Sequence, residues 1–324
     1  MKAKTRVAIV GAGGWGRQHA RIFSARPDVE LVGLWSRDPA RAQARADEFR
    51  TRGFSDLAEM LTAAKPDLVS ICLPNTAHFA PTLQVIRAGI SLFVEKPLVF
   101  NLQEADTLLA EAAQRDLFFG INFNHRYAKP LRLARQAMNE GRVGEVAFAW
   151  WRFGGNGGTC PPHANLIETQ CHGFDQLEDL CGPIAAIQAE MTDATTTLAI
   201  ALRFASGAVG AMIGSYDSSY AYPKTHQLEV NGRKGRILIE DTVGRYTFHP
   251  HDSEIGETWQ AGYFNDFDRE FHRTFDLHVD AMLEAFKKGG QPPIHARAGR
   301  RALQLAHAAI ESCETGRRVS VAAE

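Results

Sequence analysis

The chain has 324 residues, 45% hydrophobic and 23% charged, with a formal net charge of −1. That length suits two domains and a full core without disulfide or metal staples. The balanced charge removes the electrostatic basis for nucleic-acid binding, and no apolar run approaches the ~18–20 residues needed to span a bilayer, so neither nucleic acid nor membrane is expected as a partner. The five cysteines, Cys72, Cys160, Cys171, Cys181 and Cys313, form no CxxC pair. An odd, scattered set reads as free thiols of a reducing, cytoplasmic setting. Cys160, His163, Cys171 and His172 cluster in sequence, but their spacing fits no standard zinc pattern, so no metal is expected.

In chain order, a β-rich run at 6–10 enters a glycine cluster and reads as a strand rather than a leader peptide. A helix at 14–25, a strand at 29–35 and an Ala/Arg/Glu-rich helix at 39–49 follow, the last with Pro39 at its first position. Then come strand 67–73, helix 78–88, strand 91–95, helix 102–115 and strand 117–121. Strands alternating with helices imply βαβ units, and near-continuous apolar strands imply a parallel sheet covered on both faces. The texture changes after residue 123, so the boundary is drawn there: 1–123 and 124–324.

The second segment opens with a helix at 130–140, an aromatic strand at 146–153 and a Gly/Pro/Asn-rich loop at 154–165. A helix at 167–181 precedes strands at 185–191, 196–204, 208–215, 226–231, 236–240 and 245–249. Close-spaced strands with turn-like breaks predict an antiparallel sheet. Helices at 264–288 and 296–315 close the chain; Phe264, Phe267, Phe271, Met282 and Phe286 form a helical stripe that reads as packing, not as a cofactor site.

Gly11, Gly13, Gly14, Trp15 and Gly16 lie in a GxGxxG fingerprint between a strand and a helix. Gly11 allows the tight turn, Gly13 the approach of a pyrophosphate, and Gly16 close helix–strand packing. The pyrophosphate then meets a helix N-terminus, where free N–H groups and the helix dipole favour an anion. An acid near position 36 would bind the adenine ribose of NAD; the chain instead has Ser36 and Arg37, with Asp38 beside them. Serine leaves room for a 2′-phosphate and arginine pairs with it bidentately, which favours NADP over NAD.

Four further segments join the fingerprint: Pro74-Asn75-Thr76-Ala77-His78, Glu95-Lys96-Pro97, Asn122-Phe123-Asn124-His125-Arg126-Tyr127, and Glu168-Thr169-Gln170-Cys171-His172-Gly173-Phe174-Asp175. In this order the chain resembles, over essentially its whole length, the glucose–fructose oxidoreductase / inositol dehydrogenase / rhizopine-catabolism (Gfo/Idh/MocA) family. The resemblance implies a Rossmann domain followed by an α/β domain with a large, mainly antiparallel sheet. It implies hydride transfer between a nicotinamide cofactor and a secondary alcohol or ketone of a sugar, sugar derivative or cyclitol. It makes Lys96 and His172 catalytic, and Glu168 as well, in place of a commoner aspartate. It also places Pro74, Asn75, His78, Glu95 and Lys96 at the cofactor, and Lys96, Arg126, Tyr127, His172 and Asp175 at the substrate.

The residues agree with that chemistry. Positions 168, 172 and 175 share one face of a regular helix. A carboxylate beside an imidazole fixes its tautomer and raises its basicity. A histidine suits removal of a hydroxyl proton near neutral pH, and a lysine cation steadies the developing alkoxide. Trp150, Trp151 and the loop at 154–165 are candidates to shape the sugar pocket, with at most one of two adjacent strand residues facing it. The sparsely charged strand at 208–215 predicts a homodimer or homotetramer. Two other readings stay open: a glycosidase that uses transient oxidation, and a non-catalytic dinucleotide-sensing regulator.

Overall fold

The computed structural model describes residues 4–155, 160–219 and 223–322, with the side chain of Phe267 outside the description. Contacts divide the chain into two compact units, Met1–Phe123 with Asp276–Arg300, and Asn124–Phe275 with Arg301–Glu324.

The first unit holds six strands: β1 (Thr5–Val10), β2 (Val29–Trp35), β3 (Gly53–Phe54), β4 (Leu68–Ile71), β5 (Ser91–Glu95) and β6 (Phe119–Asn122). They pair in parallel in the order β3-β2-β1-β4-β5-β6. Every residue of β4 and β6 is buried, as is all but one residue of β1 and of β5. This is why these strands read as unbroken apolar runs. The strand order reverses between β1 and β4, the switch point where doubly wound sheets bind ligands at their carboxyl ends.

Helices α1 (Gly14–Ser24), α2 (Pro39–Glu48), α3 (Leu57–Ala64), α4 (Phe79–Arg87) and α5 (Leu102–Gln114) connect these strands. Three begin on side-chain caps that occupy the orphan first-turn amides: Asp38 for α2, Asp56 for α3 and Asn101 for α5. β3 has no period to detect in two residues, whereas α3, also missed in the sequence, carries a helical one in Leu57, Met60, Leu61 and Ala64.

The second unit is built on a nine-stranded sheet. Its strands are β7 (Val146–Gly154), β8 (Ile184–Met191), β9 (Thr197–Phe204), β10 (Val209–Ser215), β11 (His226–Gly232), β12 (Gly235–Glu240), β13 (Arg245–Pro250), β14 (Glu257–Gln260) and β15 (Val319–Ser320). The order is β14-β13-β12-β11-β7-β10-β9-β8-β15. Only the β7–β10 pair is parallel; the rest are antiparallel, as the mainly antiparallel expectation requires. Helices α6 (Lys129–Asn139) and α7 (Cys171–Cys181) pack on this sheet, α7 against β7 and α6 against β12 and β13. The other face carries Phe148 (42% exposed), Val209 (48%) and Ile213 (49%), with Val209 directly opposite Phe148.

The closing helices are α8 (Phe267–Lys287) and α9 (Arg297–Thr315). The expected start of the first at 264 is corrected. The Asp266 side chain accepts from Arg269 N–H at 2.9 Å, and its carbonyl accepts from Glu270 N–H, so capping sets the helix start. Phe264 therefore lies outside the helix and is 80% exposed, not part of the packing stripe. Among the described residues no helix is long and apolar enough to cross a membrane.

Candidate active site

The glycine loop fits a dinucleotide on steric grounds. Gly11 has φ +126°, and a Cβ there would lie 2.1 Å from the Cys72 carbonyl oxygen. A Cβ on Gly16 would lie 1.8 Å from the Gly11 carbonyl oxygen, whereas one on Gly13 or Gly14 would meet nothing within 4 Å. The first and last glycines are thus dictated by packing, and the middle pair faces open space. α1 begins with no side-chain cap bond and no acid in its first turn, so no side-chain charge there opposes an anion at the helix N-terminus. Trp15 is largely exposed at the same loop.

At the end of β2, Asp38 accepts from the N–H groups of Ala40 and Arg41 at 3.0 and 3.2 Å. Its carboxylate is committed to capping α2. Arg37 beside it is exposed, and the Ser36 hydroxyl accepts from Asp38 N–H at 3.3 Å.

Pro74 and Asn75 open a short turn after β4, exposed and half-buried respectively. His78, expected at the cofactor, follows that turn. It is buried, with Nδ1 2.8 Å from the Pro97 carbonyl and Nε2 3.0 Å from the Leu73 carbonyl. Burial lowers its pKa, only partly opposed by these carbonyls. The ring clamps two loops at the carboxyl end of the sheet.

Glu95 is likewise turned inward. It is buried at the end of β5, with Oε1 2.8 Å from His19 Nε2 and accepting from Asn122 Nδ2 at 2.5 Å. His19 Nδ1 lies 2.8 Å from the Ser70 hydroxyl, and His278 Nδ1 lies 2.7 Å from Asn122 Oδ1. Burial pulls the His19 pKa down, but the Cys72 sulfur and the Glu95 carboxylate outweigh it and raise it to about 10. For Glu95, burial works upward but the His19 contact and charge prevail and lower it. Glu95 is therefore the anion of a buried pair, next in sequence to the half-buried Lys96. His19, on the inner face of α1 just after the glycine loop, was missed; a lone histidine within an apolar helix face was its only signal.

In the second unit the expected regular helix over 167–181 is interrupted. Asn165–Thr169 forms a π-helical turn in which Gln170 N–H donates to the Asn165 carbonyl at 3.0 Å, and α7 starts only at Cys171. Such wide turns recur at functional sites. The extra residue breaks the even stripe expected of positions 168, 172 and 175: Glu168 is half-exposed while His172 and Asp175 are buried.

Asp175 holds Arg126 bidentately, Oδ2 accepting from Nε at 2.9 Å and Oδ1 from Nη2 at 2.6 Å. Asp179 Oδ1 lies 3.1 Å from Arg126 Nη1, and its Oδ2 lies 2.6 Å from Arg135 Nη2. Burial works against the Arg126 charge, but the two aspartates outweigh it and raise its pKa. Arg126 and Asp175 thus serve first as each other's partner. Tyr127 is half-buried, and burial raises its hydroxyl pKa.

The imidazole of His172 stacks on that of His125, centroids 3.8 Å apart and planes 11° apart. α7 reaches this position because Gly173 lets it lie on β7: a Cβ there would be 2.6 Å from Trp151 Nε1. Trp151 is buried against the helix and donates to Gln170 Oε1 at 2.9 Å, so it packs rather than lines a pocket; Trp150 is half-buried on the opposite face of β7. Of the loop at 154–165, residues 156–159 lie outside the described residues. Among the described residues no group of three or more His, Cys, Asp or Glu is arranged to hold a metal ion.

Two family models match this chain. The Gfo/Idh/MocA model described as "Oxidoreductase family, NAD-binding Rossmann fold" covers residues 5–123, and its "C-terminal alpha/beta domain" covers 140–321. The chain belongs to the Gfo/Idh/MocA oxidoreductase family. It is a nicotinamide-dependent oxidoreductase. Among its relatives is inositol 2-dehydrogenase of Rhizobium meliloti, 25% identical over 338 residues that cover 98% of this chain and 99% of the relative. D-glucoside 3-dehydrogenase of Escherichia coli is 34% identical over 143 residues, covering 44% and 41% of the two chains. A levoglucosan dehydrogenase solved with NADH and levoglucosan has a TM-score of 0.88 at 18% identity, covering 98% of this chain and 99% of that one.

Proposed function

We propose that this family member is an NADP-preferring dehydrogenase or reductase acting on a secondary alcohol or ketone of a sugar, sugar derivative or cyclitol. The observation that carries the reading is full-length family membership combined with a glycine loop whose open face and uncapped helix amides suit a dinucleotide. The relative that spans the whole chain is named for inositol, and the similar solved structure was obtained with levoglucosan, both polyhydroxylated molecules without charge.

The nicotinamide, when bound, accepts or returns the hydride. The rest is assigned to the chain. Gly13, Gly14, Trp15, Pro74 and Asn75 hold the dinucleotide, with Ser36 and Arg37 at the 2′-phosphate. Asp38 caps α2 through one carboxylate oxygen, so it is held at the helix start while Ser36 and Arg37 are the residues offered to the ribose end. His172 takes the hydroxyl proton during oxidation and returns it during reduction. Lys96 steadies the oxygen as it becomes anionic. Glu168 orients the reacting hydroxyl. Tyr127 contacts the sugar. Asp175 holds Arg126 in place; because Arg126 is already matched by two carboxylates, a neutral substrate suits it better than a sugar phosphate. The apolar outer face of the nine-stranded sheet supports a homodimer or homotetramer.

The test is a panel of inositols, sugars and glycosides with NAD⁺ and NADP⁺, followed by absorbance of the reduced cofactor. Reduced cofactor accumulating with a free polyol supports the reading. Glycoside cleavage without net reduced cofactor, or dinucleotide binding with no turnover on any of them, overturns it in favour of the glycosidase or the regulator.

A further inference from the structure

His125 has no assigned task, yet its ring is stacked on that of His172. The two imidazoles lie nearly parallel, 3.8 Å between centroids, and both residues are buried. Around His125 the structure builds an aromatic box. Phe271 meets it edge-on at 6.3 Å and Phe153 lies roughly parallel at 6.4 Å. Gln176, one turn after His172 on α7, places Nε2 3.4 Å from His125 Nδ1. An amide N–H aimed at Nδ1 favours the neutral ring with its proton on Nε2. The adjoining cation, Arg126, is drawn to Asp175 and Asp179.

We propose that His125 is a positioning residue for His172, its stacked ring fixing the plane in which His172 meets the substrate hydroxyl. This rests on the assignment of His172 as the proton-transferring group. The physical ground is that a buried ring with one face covered by a parallel ring at van der Waals distance cannot tilt without losing that contact. The aromatic box and the Gln176 contact hold the lower ring, so the orientation passes to the upper one. Catalytic geometry is sensitive at this scale: a displacement of about 1 Å can cost roughly a hundredfold in rate.

The experiment compares His125→Leu, which fills the space without a ring face, with His125→Phe, which keeps one; His125→Ala replaces the first if it does not fold. Turnover and KM are measured on the polyol found in the panel, dinucleotide Kd by titration, and the histidine Cε1–H resonances on the full chain without substrate. The His172 resonance is identified by its loss in His172→Ala. The expected result is a fall in kcat of about 10–100-fold in His125→Leu, with KM and dinucleotide Kd within about threefold, and recovery to within about threefold of wild type in His125→Phe. The His172 resonance, shifted by the ring stacked on it, should move in His125→Leu and stay near its wild-type position in His125→Phe. Wild-type turnover in His125→Leu, an unmoved resonance, or a His125→Phe variant as slow as His125→Leu overturns the proposal. Wild-type turnover in His172→Ala overturns instead the assignment of His172, and the resonances still decide whether the stack orients its ring.

Discussion

Replacing His19 by glutamine exposes what its buried pair with Glu95 contributes. In the native unit His19 and Glu95 are buried, with 2.8 Å between Nε2 and Oε1. Glutamine still offers an N–H to the carboxylate, and Asn122 continues to donate to it. What disappears is the cation. Removing one member of a buried ion pair typically costs about 3–5 kcal/mol, because the remaining charge is left uncompensated. The rise of the His19 pKa from 6.5 to about 10, to which the Cys72 sulfur contributes more than Glu95, sets a ceiling of about 5 kcal/mol on all charge-dependent contributions together, the Glu95 pair being one part of it. The retained hydrogen bonds place His19→Gln near the lower end, roughly 3 kcal/mol. The sign of the pH dependence follows from the two shifts. The His19 pKa is raised in the folded state, so its contribution is complete below 6.5 and is lost as pH climbs toward about 10. The Glu95 pKa is lowered, so its contribution is present above 4.5 and is lost as pH falls through its depressed folded value. Urea unfolding of wild type and His19→Gln, compared at pH 6, 8 and 10, should give the widest separation at pH 6 and the narrowest at pH 10. The double variant His19→Gln/Glu95→Gln, which has no stranded charge, should be more stable than His19→Gln alone at pH 6. A separation that is unchanged from pH 6 to pH 10, or a double variant less stable than the single one, would refute the buried ion pair.

The remaining expectations concern cofactor, chemistry and assembly. Arg37→Ala should weaken NADP by about 10–150-fold, from a charge-assisted contact of roughly 1.5–3 kcal/mol, and leave NAD nearly unchanged. Ser36→Asp should turn preference toward NAD; wild type binding NAD at least as tightly as NADP in fluorescence titration would sink that reading. Lys96→Ala and His172→Ala should each lower single-turnover hydride transfer by about 10²–10⁴ while dinucleotide Kd stays within a few-fold, with the double variant losing less than the product of the two. Glu168→Gln should slow the same step; full activity would remove Glu168 from the reaction. Light scattering should give a multiple of the 35.7 kDa chain mass, and Ile213→Glu, which places a charge on the open sheet face, should shift the mass toward a single chain. A wild-type mass of one chain would end the assembly argument.

The glycine loop was legible in the sequence because its constraints are local. Gly11 and Gly16 must be glycine wherever a strand turns this tightly into a helix, since a side chain would strike backbone only a few residues away or at the neighbouring strand end. The alternation of buried strands and helices was legible for the same reason, with Pro39 marking the start of its helix, while the caps Asp38 and Asn101 became visible only in the structure. Elements below the length of a period, such as Gly53–Phe54, carried no such signal.

The polar residues of the site divided differently, because a motif fixes where a side chain starts and not what it meets. Glu95 and His78 stand in segments that suggest a cofactor, yet Glu95 turns into a pair with His19 from another element, and His78 spans two carbonyls. The regular spacing of Glu168, His172 and Asp175 predicted a shared face, and one wide helical turn interrupts that spacing at Glu168. Asp175 then found Arg126, and His172 found His125, both from a short turn remote in sequence. Each of these partnerships decides whether a group is charged, oriented or free, and each depends on the path of the chain between the partners. Function at such a site is therefore carried by pairs, and a substitution is best judged by what it leaves behind: Asp175→Asn leaves the half-buried Arg126 with Asp179 and without its bidentate carboxylate, so kcat on the panel polyol should fall, and an unchanged kcat would remove the Arg126–Asp175 pair from the working site.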